Sequence, residues 1–480
     1  MSTAPNKEET QEVASENGQP TAAFPVVGIG ASAGGLRTFG DFFDALPANS
    51  GMAFVLVQHL DPNHESELAE LLQNSTSMEV RQVEDGTEVE PNHVYVIPPG
   101  TSLTIEKATL RLTEPTKKRG HRAPIDLFFR SLADDQGENA VCIILSGTGS
   151  DGTLGLKAIK ERGGVTMAQD PGEAEYDGMP RSAVATGLVD LVLPVRELAE
   201  KLAAYQNTAS QIQLPDEVED LPDGESEALQ RIFMQLRAKT GHDFSNYKRS
   251  TILRRIGRRL QVNQIEDLST YLRQLRNNGS ETEALFKDFL ISVTNFFRDP
   301  DAFDVLENKV IPQLFEGKTE KDQIRVWVPG CATGEEAYSI AILLCEYAAT
   351  LNESPNFHIF ATDIDEDAIA YAREGIYPEN IAADVSPERL ERFFSEHREG
   401  YQVKKQVREM VLFAVHNLIK DPPFSKLDLI SCRNLLIYFN REVQKEVFAL
   451  FHYALLPERF MMLGSSESTV DGSRLFSLLD

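Results

Sequence analysis

Two glycine-rich turns, far apart in the chain, constrain its fold more than any other feature. The first turn is Gly30-Ala31-Ser32-Ala33-Gly34, which follows a short apolar run and precedes an amphipathic stretch. The second is Gly330-Cys331-Ala332-Thr333-Gly334, which also follows an apolar run and is followed by Glu335. A strand that turns through small residues into a helix is typical of α/β sheets, whose sites form at such turns. The two turns therefore predict two α/β domains with separate sites, as in two enzymes joined on one polypeptide.

The length and charge of the chain limit its organisation and its partners. A chain of 480 residues is too long for one ordinary core. The excess of 74 acidic over 47 basic residues argues against general binding to nucleic acid or anionic membranes. The cysteines are widely separated and never form a C-x-x-C pair, which predicts reduced thiols and no metal site. Because no apolar run is long enough to span a bilayer, we expect a cytoplasmic protein without membrane insertion.

Changes in composition along the chain predict its division into domains. Residues 1–22 are polar and are predicted to be a disordered N-terminus, and the acidic, proline-containing residues 206–227 are predicted to be a linker. In residues 23–205, apolar strands alternate with helices, which predicts a parallel sheet covered on both faces. Residues 228–300 are predicted to form a small all-helical domain, and residues 301–480 a Rossmann-like α/β domain.

Three polar residues of the N-terminal half fall just beyond predicted strands. Ser32 lies in the first turn, His59 ends the next apolar run, and Asp151 follows a later one. The carboxyl ends of parallel strands meet at one edge of a sheet, so we expect these residues to lie together. Ser32 would attack a carbonyl, His59 would accept its proton and Asp151 would hold the imidazole tautomer. Backbone N–H groups of the turn and of residues 147–149 would bind the oxyanion.

The first turn has two alternative interpretations. Gly28, Gly30 and Gly34 could form a degenerate dinucleotide-binding loop, although that loop requires an acidic residue where this chain has Gln58-His59. A glycine turn after a strand also often does no more than pack a helix.

Three segments resemble the signature segments of the CheB-type chemotaxis receptor methylesterases. They are Ile29-Gly30-Ala31-Ser32-Ala33-Gly34-Gly35, Val57-Gln58-His59 and Leu145-Ser146-Gly147-Thr148-Gly149-Ser150-Asp151-Gly152. The resemblance implies a domain that hydrolyses γ-glutamyl methyl esters on receptor helices, with Ser32, His59 and Asp151 as the catalytic triad. The family's usual receiver domain has no room before Phe24, so we expect no control by phosphorylation within this chain.

The predicted helical domain contains a dense basic segment, residues 247–260. On a helix its basic side chains share one sector and its apolar side chains lie opposite. The basic residues are Lys248, Arg254, Arg255, Arg258 and Arg259. This sector is either the solvated face of an ordinary amphipathic helix or a binding face for an acidic partner, such as carboxylate-bearing receptor helices.

The second turn suits a nucleoside cofactor. Asp363 ends the next predicted strand, where a carboxylate can bind both ribose hydroxyls. The turn lacks G-x-G-x-x-G, which weakens the interpretation as an NAD site. Glu335 at the helix start would repel a pyrophosphate but suits the cationic S-adenosylmethionine. A methyltransferase, a dehydrogenase and a Rossmann-like module without cofactor remain open on the residues alone.

The C-terminal half resembles the CheR-type chemotaxis receptor methyltransferases, from about residue 229 to the end. The motif Cys432-Arg433-Asn434-Leu435-Leu436-Ile437-Tyr438-Phe439 is particularly specific. The resemblance implies a set of S-adenosylmethionine contacts, namely Thr294, Arg298, Glu335, Asp363, Asn417, Leu418, Asn434 and Leu435. It also implies that the receptor substrate binds at Arg254, Arg255, Arg258, Arg259 and Tyr438, and that a small β-subdomain is present.

The two implied reactions oppose each other at the same glutamyl group. If both ran freely they would consume cofactor in a cycle, so we expect access or partner binding to favour one half at a time. The alternative function is a signalling scaffold in which one or both domains bind a ligand or partner without turnover. The chain stops close behind its last predicted strands, which leaves room for sensory or kinase modules beyond residue 480.

Overall fold

The computed structural model describes most of the chain. The described residues are 22–59, 68–114, 123–209, 212, 214–215, 220–222, 224–290, 293–398, 400–467 and 475–479. The predicted disordered N-terminus lies outside them, except for residue 22. Ala22 is buried, and its carbonyl accepts a hydrogen bond from Asn139 Nδ2 at 3.1 Å, so this residue belongs to the folded domain. Within the described residues, no helix is long and apolar enough to cross a membrane.

The strands and helices alternate through most of the chain. The strands are β1 (Val26–Ala31), β2 (Ala53–Gln58), β3 (Glu79–Gln82), β4 (Thr87–Glu88), β5 (His93–Val96), β6 (Ser102–Glu106), β7 (Thr109–Thr113), β8 (Ala140–Ile144), β9 (Val165–Gln169), β10 (Leu191–Leu193), β11 (Gln323–Pro329), β12 (Asn356–Asp363), β13 (Ile376–Tyr377), β14 (Phe394–His397), β15 (Gly400–Val403), β16 (Val411–Val415), β17 (Leu427–Cys432) and β18 (Leu455–Leu463). The helices are α1 (Gly35–Ala45), α2 (Leu68–Leu72), α3 (Pro124–Gln136), α4 (Thr153–Glu161), α5 (Gly178–Ala185), α6 (Val195–Ala209), α7 (Glu225–Thr240), α8 (Arg249–Asn263), α9 (Leu268–Asn277), α10 (Gly279–Leu290), α11 (Pro300–Val305), α12 (Ile311–Phe315), α13 (Glu335–Ala348), α14 (Glu366–Glu374), α15 (Pro387–Phe393), α16 (Lys405–Arg408) and α17 (Arg441–Ala454).

The N-terminal domain, β1 to α6, is built on a seven-stranded sheet in the order β10-β9-β8-β1-β2-β5-β3. Each neighbouring pair is parallel, which confirms the predicted parallel sheet. The central strand β1 is buried at every position, because apolar side chains cover both faces of the sheet. A small antiparallel sheet, β4-β7-β6, lies beside it.

The glycines of β1 serve helix packing. A Cβ on Gly30 would lie 2.5 Å from the Ile125 Cγ2, and one on Gly28 would lie 2.9 Å from the Phe129 ring. Both neighbours belong to α3, which therefore lies directly on the strand. The close approach explains these glycines without a bound dinucleotide.

The helical domain, α7 to α10, and the C-terminal domain, α11 to β18, follow. The C-terminal sheet has the order β16-β12-β11-β17-β18, and its pairs are parallel. A small antiparallel sheet, β13-β15-β14, forms the β-subdomain. The predicted fold class is thus confirmed for all three domains.

The predicted linker is shorter than its composition indicated. The helix α6 continues through Ala209, and α7 already begins at Glu225, so both ends of residues 206–227 are helical. Ile212, between them, is buried in the core of the helical domain. Part of the remaining segment lies outside the described residues.

Candidate active sites

Ser32, His59 and Asp151 come together at the carboxyl edge of the N-terminal sheet. Ser32 follows β1, while His59 and Asp151 lie beyond β2 and β8, the two strands that flank β1. The His59 Nδ1 lies 3.2 Å from the Ser32 Oγ, and the His59 Nε2 lies 3.0 Å from the Asp151 Oδ2. The imidazole therefore bridges the hydroxyl and the carboxylate, as a general base requires.

The Asp151 carboxylate is held by backbone N–H groups. Its Oδ1 accepts from Asp126 N at 3.0 Å and from Gly152 N at 2.9 Å, and its Oδ2 accepts from Ile125 N at 3.1 Å. Ile125 and Asp126 lie in the first turn of α3, where free N–H groups and the helix dipole favour an anion. Burial and the charge of Asp151 raise the pKa of Asp126.

The hydroxyl side of this site is accessible, but two of the predicted oxyanion donors already have acceptors. The His59 side chain is 36% exposed. The Ser32 N–H donates to the Ser146 carbonyl at 3.0 Å, and the Gly147 N–H donates to the Tyr176 carbonyl at 2.9 Å. These two predicted oxyanion donors are therefore already used within the fold.

A cavity lies at the carboxyl edge of the C-terminal sheet. It encloses about 1110 Å³ of empty space, which includes space open to solvent. Most of the predicted cofactor residues line it, and they are Thr294, Arg298, Asp363, Asn417, Leu418, Asn434 and Leu435. They come from the end of β12, from the loops after β16 and β17 and from the segment before α11, so the tertiary fold brings distant segments to one edge.

Asp363, the last residue of β12, is half-buried in the wall of this cavity. Its Oδ2 accepts from Ala332 N at 2.8 Å and its Oδ1 accepts from Asp365 N at 3.0 Å. Burial raises the pKa of Asp363 to about 6, although the backbone hydrogen bonds oppose that shift. Each oxygen has a further lone pair that could accept from a ribose hydroxyl.

Glu335 does not line the cavity, although it was predicted to contact the cofactor. Its carboxylate accepts from the Thr333 hydroxyl at 2.6 Å and lies 3.5 Å from the Lys157 Nζ of the N-terminal domain. Glu336 lines the cavity instead, and its Oε1 accepts from the Ser431 hydroxyl at 2.7 Å. Burial raises the pKa of Glu336. Two adjacent glutamates at a helix start point about 100° apart, so the sequence did not reveal which one faces the cavity.

A glutamate of the N-terminal domain also lines the cavity, and the sequence did not indicate it. Glu161 is the last residue of α4, and its Oε1 lies 2.6 Å from the Arg298 Nη2. Burial would lower the pKa of Arg298, but Glu161, together with Asp299 and Tyr438, outweighs burial and raises it. Tyr438 lines the same cavity, and burial raises the pKa of its hydroxyl.

The basic sector of α8 is largely covered, contrary to the expectation of an open face. Arg258 and Arg259 are only 8% and 5% exposed. Arg258 forms an ion pair with Asp190 of the N-terminal domain, and the Arg259 Nη1 lies 3.4 Å from the same carboxylate. Arg259 also donates twice to Glu281, at 2.9 and 2.5 Å. Because the domains pack closely together, arginines that were predicted to lie on a surface lie at an interface instead.

The other two arginines of this sector also have partners. Arg255 donates to the carbonyl of Asp288, and its guanidinium lies 5.0 Å from the centre of the Tyr438 ring. Arg254 is half-exposed, and its Nη1 lies 3.3 Å from the Glu138 Oε1 of the N-terminal domain. The predicted substrate residues thus adjoin the cavity through Arg255 and Tyr438, whereas the other arginines meet the N-terminal domain.

The cavity residues fit S-adenosylmethionine. Asp363 at the end of the second strand suits ribose hydroxyls, and the carboxylate of Glu336 suits a cationic group and would repel a phosphate. The backbone at Gly330 has a φ of 68°, and a Cβ there would lie 2.9 Å from the Leu435 Cδ2. The absence of a side chain therefore keeps the floor of the cavity free.

Comparison with known proteins divides the chain in the same way. The family model of the CheB methylesterase matches residues 27–202, that of the all-alpha domain of the CheR methyltransferase matches residues 227–290, and that of the CheR SAM binding domain matches residues 292–480. The last match also shows that the C-terminal domain is of the kind that binds S-adenosylmethionine.

Three relatives cover the chain between them. A 104.1 kDa protein of Rhodobacter capsulatus is 41% identical over 433 residues, which are 86% of this chain and 45% of that protein. A chemotaxis protein methyltransferase of Borreliella burgdorferi is 32% identical over 51% of this chain and 89% of its own length. A protein-glutamate methylesterase/protein-glutamine glutaminase of Bordetella parapertussis is 36% identical over 36% of this chain and 51% of its own length. The chain thus spans about half the length of the first and third relatives.

These matches account for each folded domain described above. The triad residues lie inside the methylesterase match, and the cofactor cavity lies in the methyltransferase matches except for Glu161. The chain belongs to the family of chemotaxis protein methyltransferases, and it carries a CheB methylesterase domain fused in front of its CheR domains.

Proposed function

We propose that this protein both methylates glutamate side chains of a chemoreceptor and hydrolyses the resulting methyl esters. The observation that supports the proposal is that one polypeptide carries both a bridged Ser32–His59–Asp151 arrangement and a cavity with Asp363 at a strand end. A scaffold that binds a ligand without turnover would have no need for a bridged imidazole.

In ester hydrolysis, Ser32 is the nucleophile. The His59 Nε2–H donates to Asp151, which leaves the Nδ1 lone pair facing the hydroxyl 3.2 Å away. As the Ser32 oxygen attacks the ester carbonyl, Nδ1 takes its proton and then delivers it to the departing methoxide, so methanol leaves. Water repeats the sequence on the acyl-enzyme and releases the glutamate. The N–H groups of Thr148 and Gly149, in the exposed loop beside Ser32, are the proposed oxyanion donors.

In methyl transfer, the protein aligns two reactants and excludes water. Bound S-adenosylmethionine supplies an electrophilic methyl group, and the receptor glutamate is already an anion that needs no base. Asp363 would hold the ribose, and Glu336 would face the positive charge of the cofactor. Thr294, Arg298, Asn417, Leu418, Asn434 and Leu435 would complete the cofactor contacts, and Tyr438 would lie near the transferred methyl. The contribution of the protein is therefore orientation and desolvation.

The proposed partner is a chemoreceptor with acidic methylation helices, and the proposed location is the cytoplasm. The excess of acidic residues disfavours a nucleic-acid partner. All four cysteines lie in the described residues as free thiols, which is typical of a reducing compartment.

The proposal is tested by two measurements on the full chain. Methanol release from a helical peptide that carries γ-glutamyl methyl esters should be catalysed, and calorimetry with S-adenosylhomocysteine should show saturable binding. If the wild-type chain releases no methanol and binds no S-adenosylhomocysteine, the scaffold interpretation replaces the enzymatic one.

A further inference from the structure

The methylesterase domain docks onto the methyltransferase half through ion pairs that run in both directions. Arg130 of α3 makes a bidentate pair with Asp384 at 2.6 and 2.8 Å, and Lys160 of α4 lies 2.5 Å from Asp288 of α10. In the opposite sense, Asp190 meets Arg258 of α8. On each surface, charged residues of both signs pair with residues of opposite charge on the other surface. The two surfaces are therefore electrostatically complementary.

The centre of this interface is desolvated. The side chain of Asp190 has no exposed surface, and that of Lys160 is 4% exposed. Burial would raise the pKa of Asp190, but Arg258, Lys160 and Arg259 outweigh burial and lower it. Because buried charges are tolerated only with such partners, the contact is a specific one.

The helix α4 brings a carboxylate to the cofactor cavity. Lys157 and Lys160 of this helix are buried, and Glu161 at its end reaches Arg298. Arg298 lies in the cavity wall together with Tyr438, the residue proposed to lie near the transferred methyl. A glutamate at the end of a helix, held by an arginine beside the cofactor, has the chemistry of the methyl-accepting side chain itself.

We propose that α4 of the methylesterase domain occupies the substrate surface of the methyltransferase half, with Glu161 in the position of the receptor glutamate and Arg298 as the residue that holds the acceptor carboxylate. The inference rests on the proposed methyltransferase function. In this docked arrangement a receptor helix is excluded from the basic sector of α8 and from the cavity. Methylation of a receptor therefore requires the methylesterase domain to move away.

Two variants of the full chain test the proposal from opposite ends of the interface. Glu161→Ala vacates the acceptor position, with Glu200→Ala on the exposed side of α6 as the matched control. Arg130→Ala breaks the pair with Asp384, and its control is Arg162→Ala, which breaks an exposed pair with Asp134 inside the methylesterase domain. Transfer of a labelled methyl group to a glutamate-rich helical peptide should rise roughly 5- to 150-fold in both test variants and stay at the wild-type rate in both controls.

Hydrogen exchange of the α4 amides provides a readout that does not depend on turnover. In Arg130→Ala these amides should exchange at least about tenfold faster than in the wild type, because the docked face becomes open to solvent. Equal exchange in wild type, Arg130→Ala and Arg162→Ala would overturn the docking.

The remaining outcomes separate the inference from the proposed function. If every variant binds S-adenosylhomocysteine and methylates the peptide at the wild-type rate, the inference fails while the function stands. If no variant binds it or transfers methyl, the function fails, and the inference that depends on it falls as well. Label found on Glu161 itself would also overturn the proposal, since that residue would then be a substrate and not an occupant of the site.

Discussion

The two sites of this molecule have the same architecture but differ in access. Each lies at the carboxyl edge of a parallel sheet, next to a glycine-rich turn between a strand and a helix. The imidazole of the hydrolytic site is 36% exposed, whereas the cofactor cavity already contains the carboxylate of Glu161. In the proposed docked arrangement, the imidazole of the first site thus stays accessible while the second site is covered. The difference teaches that opposing activities can be separated by domain packing alone, without any change in either set of catalytic groups.

The largest expected effect is at the hydrolytic nucleophile. Ser32→Ala should lower methanol release by roughly 10³-fold or more, because no other group can form the acyl-enzyme. Calorimetry should show unchanged affinity for S-adenosylhomocysteine, since the two sites lie in different domains. If methanol release persists near the wild-type rate, Ser32 is not the nucleophile, and the comparison of the two sites no longer holds.

The next effect concerns the interface that covers the transferase site. Arg259→Met should lower the free energy of unfolding by about 3–5 kcal/mol, because Glu281 and Asp190 would lose a partner while they remain buried. The matched Arg254→Met should change it by less than about 1 kcal/mol, since that pair is half-exposed. Urea unfolding followed by circular dichroism measures both, and equal effects would contradict the burial of the basic sector.

A smaller effect is expected in the cofactor cavity. Asp363→Ala should weaken S-adenosylhomocysteine binding about 10- to 100-fold, because the carboxylate proposed to accept the ribose hydroxyls is lost. Methanol release by the Asp363→Ala variant should stay at the wild-type rate, and this measurement is the control that the variant is folded. Unchanged affinity would place the nucleoside elsewhere in the cavity.

The smallest effect is a dependence of cofactor binding on pH. Ribose hydroxyls favour the ionised form of Asp363, whose pKa burial raises to about 6 in the free protein. Lowering the pH from 7 to 5 protonates this carboxyl, so the affinity for S-adenosylhomocysteine should fall by about tenfold. Asp363→Asn cannot titrate and should lose this dependence.

Much of both sites could be predicted from the sequence, because strand ends are visible in it. Ser32, His59 and Asp151 each follow an apolar run, and parallel strands bring such positions to one edge, where the three lie within hydrogen-bond distance. The same reasoning predicted the position of Asp363, which lines the cavity. It did not show that Glu335 contacts Thr333 or that the Ser32 and Gly147 N–H groups are already used, because the direction of a helix-start side chain and the use of a backbone donor depend on local packing.

The sequence by itself determined the two α/β domains, the helical domain between them and the residues at their strand ends, since these follow from local apolar patterns and turns. Only the tertiary structure decided that Glu161 enters the cofactor cavity and that Arg258 and Arg259 are buried against Asp190. Those contacts join helices far apart in the chain, and they form only because the shapes and charges of two folded surfaces match. No local pattern records such a match, because each partner alone has the composition of an ordinary solvated helix face.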